Sequence, residues 1–233
     1  QSMINFAMKY PLVEFGVQAH PGPMSYGHSR NIWFNEFVEL SKNMNVQPNI
    51  ALHINYQWCD SMCDGVVPEQ LSNWLNMVNV HSGKNVVQRI QLNIGDGTRC
   101  FDAQKIADLI KKFPNQKFIF PWNNITAKSI DALKQTDAKF LLLFDGSYGA
   151  GICPTKWTGP VYNDVPNGYA GGLGPKNVAE NLDKINDILP SDYQTWIDAE
   201  GKLRDRYTTG VFSLDLAEKY VKNAMHWKNQ NVR

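Results

Sequence analysis

The sequence predicts an α/β fold of parallel strands alternating with amphipathic helices, closed as a (β/α)8 or TIM barrel. Three observations carry that prediction. Short apolar runs alternate with stretches of helical period for most of the length. The apolar runs are rich in Val, Ile, Leu and Phe rather than strictly alternating, as parallel strands buried on both faces would be. Polar and glycine-rich residues gather after strand upon strand: His20-Pro21-Gly22, Asn55, Asn93, Trp122-Asn123, Asp145-Gly146 and Asp198. In a barrel the C-terminal strand ends and the loops beyond them build the active site, which favours the barrel over a doubly wound sheet.

In order, the strand signals fall at 12–19, 49–55, 86–93, 117–120, 139–144, 168–171 and 194–199. An eighth is expected at 4–8, with the first β/α unit irregular or missing. Helices are expected over 31–42, 68–78, 102–112, 126–135, 175–188 and 213–227. Pro68 and Pro175 suit a first helical turn, Thr126 and Ser213 suit caps, and Asp102 opens its helix with a favourable charge. No linker, repeat or low-complexity stretch divides the chain, so one barrel domain is expected over 3–233. Gln1-Ser2 ahead of Met3 reads as an expression scar.

The 233 residues carry 43% hydrophobic and 12% aromatic side chains, enough for a large core, and a net charge of +1. With no basic tract, nothing points to nucleic acid or a membrane surface. No apolar run approaches the roughly 20 residues that span a bilayer, and no signal peptide is visible, so the expected location is cytoplasmic. The four cysteines are expected as free thiols in a reducing compartment. Cys59-x3-Cys63 has no second pair with ligand spacing, so no metal site is expected there.

The segment "GYAGGLGPKNVAENLDKI", residues 168–185, is the most informative stretch. Paired glycines are costly to order. One reading is a tight strand-to-helix turn; the other is a backbone cleared of side chains so that an anion reaches amides at a helix start. Asp145 ends the apolar run Leu141-Leu142-Leu143-Phe144 ahead of a glycine-rich loop. A carboxyl partly desolvated at such a place is suited to acid catalysis, whereas its bland role would be a turn cap. Tyr56, Trp58, Trp122, Tyr148 and Trp157 follow predicted strands and are either ring-stacking surfaces or packing lids.

The order of these motifs resembles phosphoribosylanthranilate isomerase. "FGVQAHPGPMSYGHS" (15–29), "IALHIN" (50–55) and "VQRIQLNIGDG" (87–97) are similar to that family's second, third and fourth strands. "AKFLLLFDGSYGAG" (138–151), "YAGGLGPKNVAENL" (169–182) and "TWIDAEGKLRD" (195–205) resemble its sixth, seventh and eighth. The resemblance implies a barrel that binds a small phosphorylated sugar and carries out an Amadori isomerisation in tryptophan biosynthesis. It implies no cofactor and no metal, and a monomer or homodimer. Residue by residue, it puts the general acid at Asp145, phosphate-holding backbone at Gly171, Gly172 and Gly201, and a sugar-hydroxyl contact at Asp198.

Several positions depart from the family pattern. The general-base cysteine has no counterpart, since the segment before Leu12 reads "MINFAMKYP". The loop arginine has no clear match: Ser25 stands there, with Arg30 displaced. Asn93 stands in place of a histidine and is kept as a substrate-binding candidate. Glu200 beside Gly201 sets a carboxylate where a phosphate is expected, which would repel it. His20 and His53, each near a strand end, are candidate replacement bases, since histidine titrates near neutrality; either can equally be a hydrogen-bonded structural residue. Two other classes stay open: a barrel enzyme of different, metal-assisted chemistry using His20, His53, Asp145 and Asp198, and a non-catalytic descendant that binds a phosphorylated ligand or a protein.

Overall fold

The structure, a computed structural model, describes residues 1–94, 100–145, 150–205 and 210–231. It divides into two compact units, one over 1–141 and one over 142–233.

The first unit opens with a helix, α1 (Ser2–Lys9), then β1 (Glu14–Ala19), α2 (Ser29–Asn43), β2 (Asn49–Ile54), α3 (Tyr56–Cys63), α4 (Glu69–Leu75), β3 (Arg89–Leu92), α5 (Ala103–Lys112), β4 (Lys117–Pro121) and α6 (Ala127–Lys134). β1, β2, β3 and β4 pair in that order, all parallel. Register and alternation put Phe15, Val17, Ala19, Ile50, Leu52, Ile54, Ile90, Leu92, Phe118 and Phe120 on one face, and all are buried. Helices cover that face: Phe15 meets Phe37 of α2 edge-on at 6.1 Å, and Phe34 meets Trp74 of α4 at 5.4 Å.

The opposite face carries Glu14, Gly16, Gln18, Asn49, Ala51, His53, Arg89 and Gln91. The expectation of strands apolar on both faces therefore fails for β1, β2 and β3, whose second face is mostly polar. It holds for β4, where Ile119 is buried on that face between Phe118 and Phe120. Arg89 and Glu14 pair across the polar face at 3.3 Å.

The expected eighth strand at 4–8 is part of α1, so seven strands are present among the described residues. The residues that bury are Ile4, Phe6, Ala7 and Tyr10, which is helical spacing, while Met8 stays 58% exposed. α3 was not expected either. It buries Trp58, Cys59, Met62 and Cys63, so the cysteine pair lies in a helical core stripe.

Asp102 caps α5 as expected, accepting from the backbone N–H of Gln104 and Lys105 at 2.8 and 3.0 Å. These bonds hold its carboxyl below the usual carboxylate range. Thr126 instead turns back, its hydroxyl donating to the Pro121 carbonyl at 2.7 Å.

β5 (Phe140–Asp145) leads into the second unit, followed by β6 (Asn167–Ala170), α7 (Val178–Asn186), β7 (Thr195–Ile197), a short 3-10 helix (Gly201–Leu203) and α8 (Leu214–Asn231). β5, β6 and β7 are parallel neighbours. Phe144, Tyr169 and Trp157 form a triangle of rings with centroids 5.7–6.2 Å apart. The Trp157 indole donates to Asn181 of α7 at 2.9 Å. α8 packs on α7 and the 3-10 helix. Among the described residues, no helix is long and apolar enough to cross a membrane.

Candidate functional site

In the second unit the sheet register aligns Asp145 with Ala170, and the Asp198 N–H bonds the Tyr169 carbonyl at 2.9 Å. Asp145, Ala170 and Asp198 therefore share one face at the C-terminal strand ends. Two strand spacings separate the two carboxylates, roughly 9.5 Å between backbones. Trp196 lies on this face too, its indole spread across Gly168 where a Cβ would collide with the ring. Asp145 and Asp198 are both half-buried.

The chain leaves β6 through Gly171 at φ 109° and Gly172 at φ 65°, backbone conformations that disfavour any side chain. A Cβ on Gly172 would also strike the Ile152–Cys153 backbone. The turn is stapled from below by Asn177, whose amide donates to the Gly172 carbonyl at 3.1 Å and accepts from the Gly174 N–H at 2.8 Å. Among the described residues, no hydrogen bond engages the N–H of Gly171 or Gly172. The turn meets the first of the two sequence readings: its glycines are demanded by conformation and crowding, and both are buried.

Gly201 starts the 3-10 helix, which brings Lys202 against the turn: a Cβ on Gly174 would stand 2.6 Å from the Lys202 Cβ. Sequence reasoning passed over this lysine, although the Gly-Lys pair beside Asp198 was a signal for it. Glu200 does not face this turn unpaired, for Arg204 holds its carboxylate at 2.9 Å, one helical turn away. The repulsion expected from Glu200 is thereby offset within the chain. Cys153, beside Gly172, donates to Asn181 at 3.2 Å. Burial pushes its thiol up, which keeps it protonated as the donor in that bond. On α8, the Tyr220 hydroxyl is buried without a hydrogen-bond partner among the described residues. Burial, and then the negative charge of Asp198, push that phenol far up and keep it protonated.

In the first unit, the strand ends carry His20, His53, Asn55 and Asn93. The two histidines differ. His20 Nδ1 lies 2.9 Å from the Pro21 carbonyl, and since a carbonyl only accepts, Nδ1 carries the proton. In the neutral ring, Nε2 is then the basic atom. His53 lies on the polar face of β2 with its Nε2 2.7 Å from where a Gly16 Cβ would be, so its ring occupies space that Gly16 leaves open. Asn93 belongs to a chain of carboxamides. Gln91 Nε2 donates to Asn93 Oδ1 at 2.8 Å, Asn93 Nδ2 to Asn55 Oδ1 at 3.0 Å, and Asn55 Nδ2 to the His53 carbonyl at 2.8 Å.

Of the two readings open for the aromatics that follow strands, packing holds at two positions. Trp58 is buried against Trp74 at 6.2 Å, and Trp157 is buried in the second unit's ring cluster. Both are core, because each follows its strand on a segment that folds back onto a helix. Trp122 is half-buried, Tyr56 is 68% exposed with its ring edge-on to His20 at 5.1 Å, and Tyr148 lies outside the described residues. Among the described residues there is no group of three or more His, Cys, Asp or Glu side chains placed to hold a metal ion.

No family model matches the sequence, and no curated protein matches it. Two solved structures do resemble the fold. N-(5'-phosphoribosyl)anthranilate isomerase from Pyrococcus furiosus aligns at 14% identity over 91% of this chain and 88% of its own, with a TM-score of 0.50. Phosphoribosyl anthranilate isomerase from Thermococcus kodakaraensis aligns at 11% identity over 95% and 92%, with a TM-score of 0.49. At these identities the likeness is one of fold: parallel strands alternating with helices, as in the Pyrococcus enzyme.

Proposed function

We propose that this chain binds a phosphorylated sugar and isomerises it by general acid–base catalysis, in the manner of phosphoribosylanthranilate isomerase. The observation that carries the reading is the Gly171-Gly172 turn, with its two uncommitted N–H groups, set beside Asp145 and Asp198 on one face of the second unit. A phosphate needs convergent donors and close backbone approach. Gly171, Gly172 and Gly201 supply the backbone, and Lys202 adds a cation. Asp198 binds sugar hydroxyls.

The chemistry needs an acid to open the sugar ring and a base to take the proton from its second carbon. Asp145 is assigned the acid, giving its proton to the ring oxygen as the C1–O bond breaks. The base is assigned to His20 on its chemistry alone, its Nε2 being the basic atom; His53 is the alternative. The residues need no cofactor for these steps.

Turnover of phosphoribosylanthranilate, followed by loss of its fluorescence, tests this. Wild type should turn over and Asp145→Asn should lose about 100- to 10,000-fold. His20→Gln should lose a comparable factor and His53→Gln much less. One observation favours a second reading, a non-catalytic binder: the segment where the family carries its base is a helix without a cysteine. Absence of turnover in wild type, with inorganic phosphate still bound, would select that reading.

A further inference from the structure

The carboxamide chain in the first unit is unused by the chemistry above, and its arrangement is specific. It climbs the strand ends of β3 and β2 through Gln91, Asn93 and Asn55, with each amide donating one N–H to the next acceptor. A carboxamide has two N–H groups and an oxygen with two lone pairs. The chain therefore aligns its members while leaving one N–H on each and an unfilled lone pair on each oxygen, counting only these bonds.

None of the three carries a formal charge. The charged pair on the same face, Arg89 with Glu14, lies toward the other end of the strands and is internally neutralised. An anion finds little here. A hydroxyl group, at once donor and acceptor, matches each amide.

Next in sequence to Asn55 comes Tyr56, a bulky residue at φ 52°, where glycine is most at ease. Its ring is 68% exposed and touches His20 edge-on, so core packing does not account for the strain. An exposed aromatic face next to aligned amides is the pairing that a sugar ring satisfies, with C–H groups on the ring and hydroxyls on the amides.

We infer that the ends of β2 and β3 in the first unit form a site for an uncharged, hydroxyl-bearing sugar, held by Asn93 and Asn55, aligned by the buried Gln91, and rimmed by Tyr56. It takes from the reading above only the class of ligand, a sugar.

Titration of the whole chain with D-ribose and, separately, with inorganic phosphate tests it. Wild type should bind both saturably. Asn93→Ala should weaken ribose about tenfold, the loss of one or two hydrogen bonds, with phosphate affinity unchanged. Tyr56→Gly should weaken ribose while its unfolding midpoint does not fall, because glycine accepts the left-handed conformation. That combination excludes a purely structural role, and it carries the test if Asn93→Ala does not fold. Phosphate bound without ribose overturns the site and leaves the phosphate reading standing. Ribose bound without phosphate does the reverse. Ribose affinity equal in wild type and both variants overturns the assignment to these residues.

Discussion

The two units present opposite kinds of surface at their strand ends. In the first, side chains face outward and are tied to one another: three carboxamides in series, a histidine fixed to a carbonyl, and a ring laid over Gly16. In the second, side chains have been removed where the chain leaves β6: Gly171 and Gly172 form a buried turn at positive φ, next to the strand ends that carry Asp145 and Asp198. On the functions proposed above, one alternation of strand and helix would support two recognition chemistries. Neutral hydroxyls would be matched by oriented amides, and an anion by main-chain N–H groups cleared of side chains.

The comparison can be broken most sharply at its glycines. Gly172→Ala should cost about 3 kcal/mol, because a methyl group there meets both a left-handed backbone and the Ile152–Cys153 main chain. Denaturant unfolding reads that cost. Gly16→Ala should cost about 1 kcal/mol, since its backbone is ordinary and the obstacle is a histidine ring that can shift. Equal costs would mean the two glycines serve the same purpose, against the contrast drawn here.

Between those two in size stands an alkaline effect confined to the second unit. Burial pushes the Tyr169 and Tyr193 phenols up to about 12. Each therefore stabilises the fold fully below the unfolded value of 10.0 and loses that contribution as pH rises from 10 toward 12. Stability measured across that window should fall, and the fall should shrink in Tyr169→Phe. Phenolate absorbance of the native protein should show late-titrating tyrosines.

A stabilisation of about 1 kcal/mol is expected from Tyr220→Phe, which removes a buried hydroxyl that has no partner among the described residues. A raised unfolding midpoint supports that; a lowered one would mean the hydroxyl is satisfied in solution, by water. Smallest is Asp102→Ala, which should lower stability slightly near neutrality. The lowered carboxyl stabilises above the ordinary value of 3.8, and that contribution is lost as pH falls through its folded value. The difference between Asp102→Ala and wild type should close in acid.

What was legible in the sequence was whatever local chemistry decides. Seven strands lie within a few residues of their expected places because apolar runs such as Leu141-Leu142-Leu143-Phe144 admit few alternatives. The Asp102 cap and the glycine turn were readable for the same reason: an acceptor before a helix and paired glycines each have few physical uses. Long-range decisions were not legible. The strand expected at 4–8 became helix once packing buried Ala7 and Tyr10. Trp58 and Trp157 follow strands, but nothing local says that one will bury on Trp74 and the other will bond Asn181. The amide chain joins residues 38 positions apart, and the Glu200–Arg204 pairing depends on where the 3-10 helix ends. Both appear only when the chain is folded.

That last pairing has a consequence for ionic strength. Glu200 and Arg204 are well exposed, and dissolved salt screens such a pair within a Debye length of about 8 Å at physiological concentration. The same screening weakens both the attraction of Lys202 for an anion at the glycine turn and any residual repulsion from Glu200. The two changes oppose each other. Phosphate affinity should therefore decline with added sodium chloride no more steeply than one lysine would impose, and Glu200→Gln, which leaves Arg204 as a second unpaired cation, should steepen that slope.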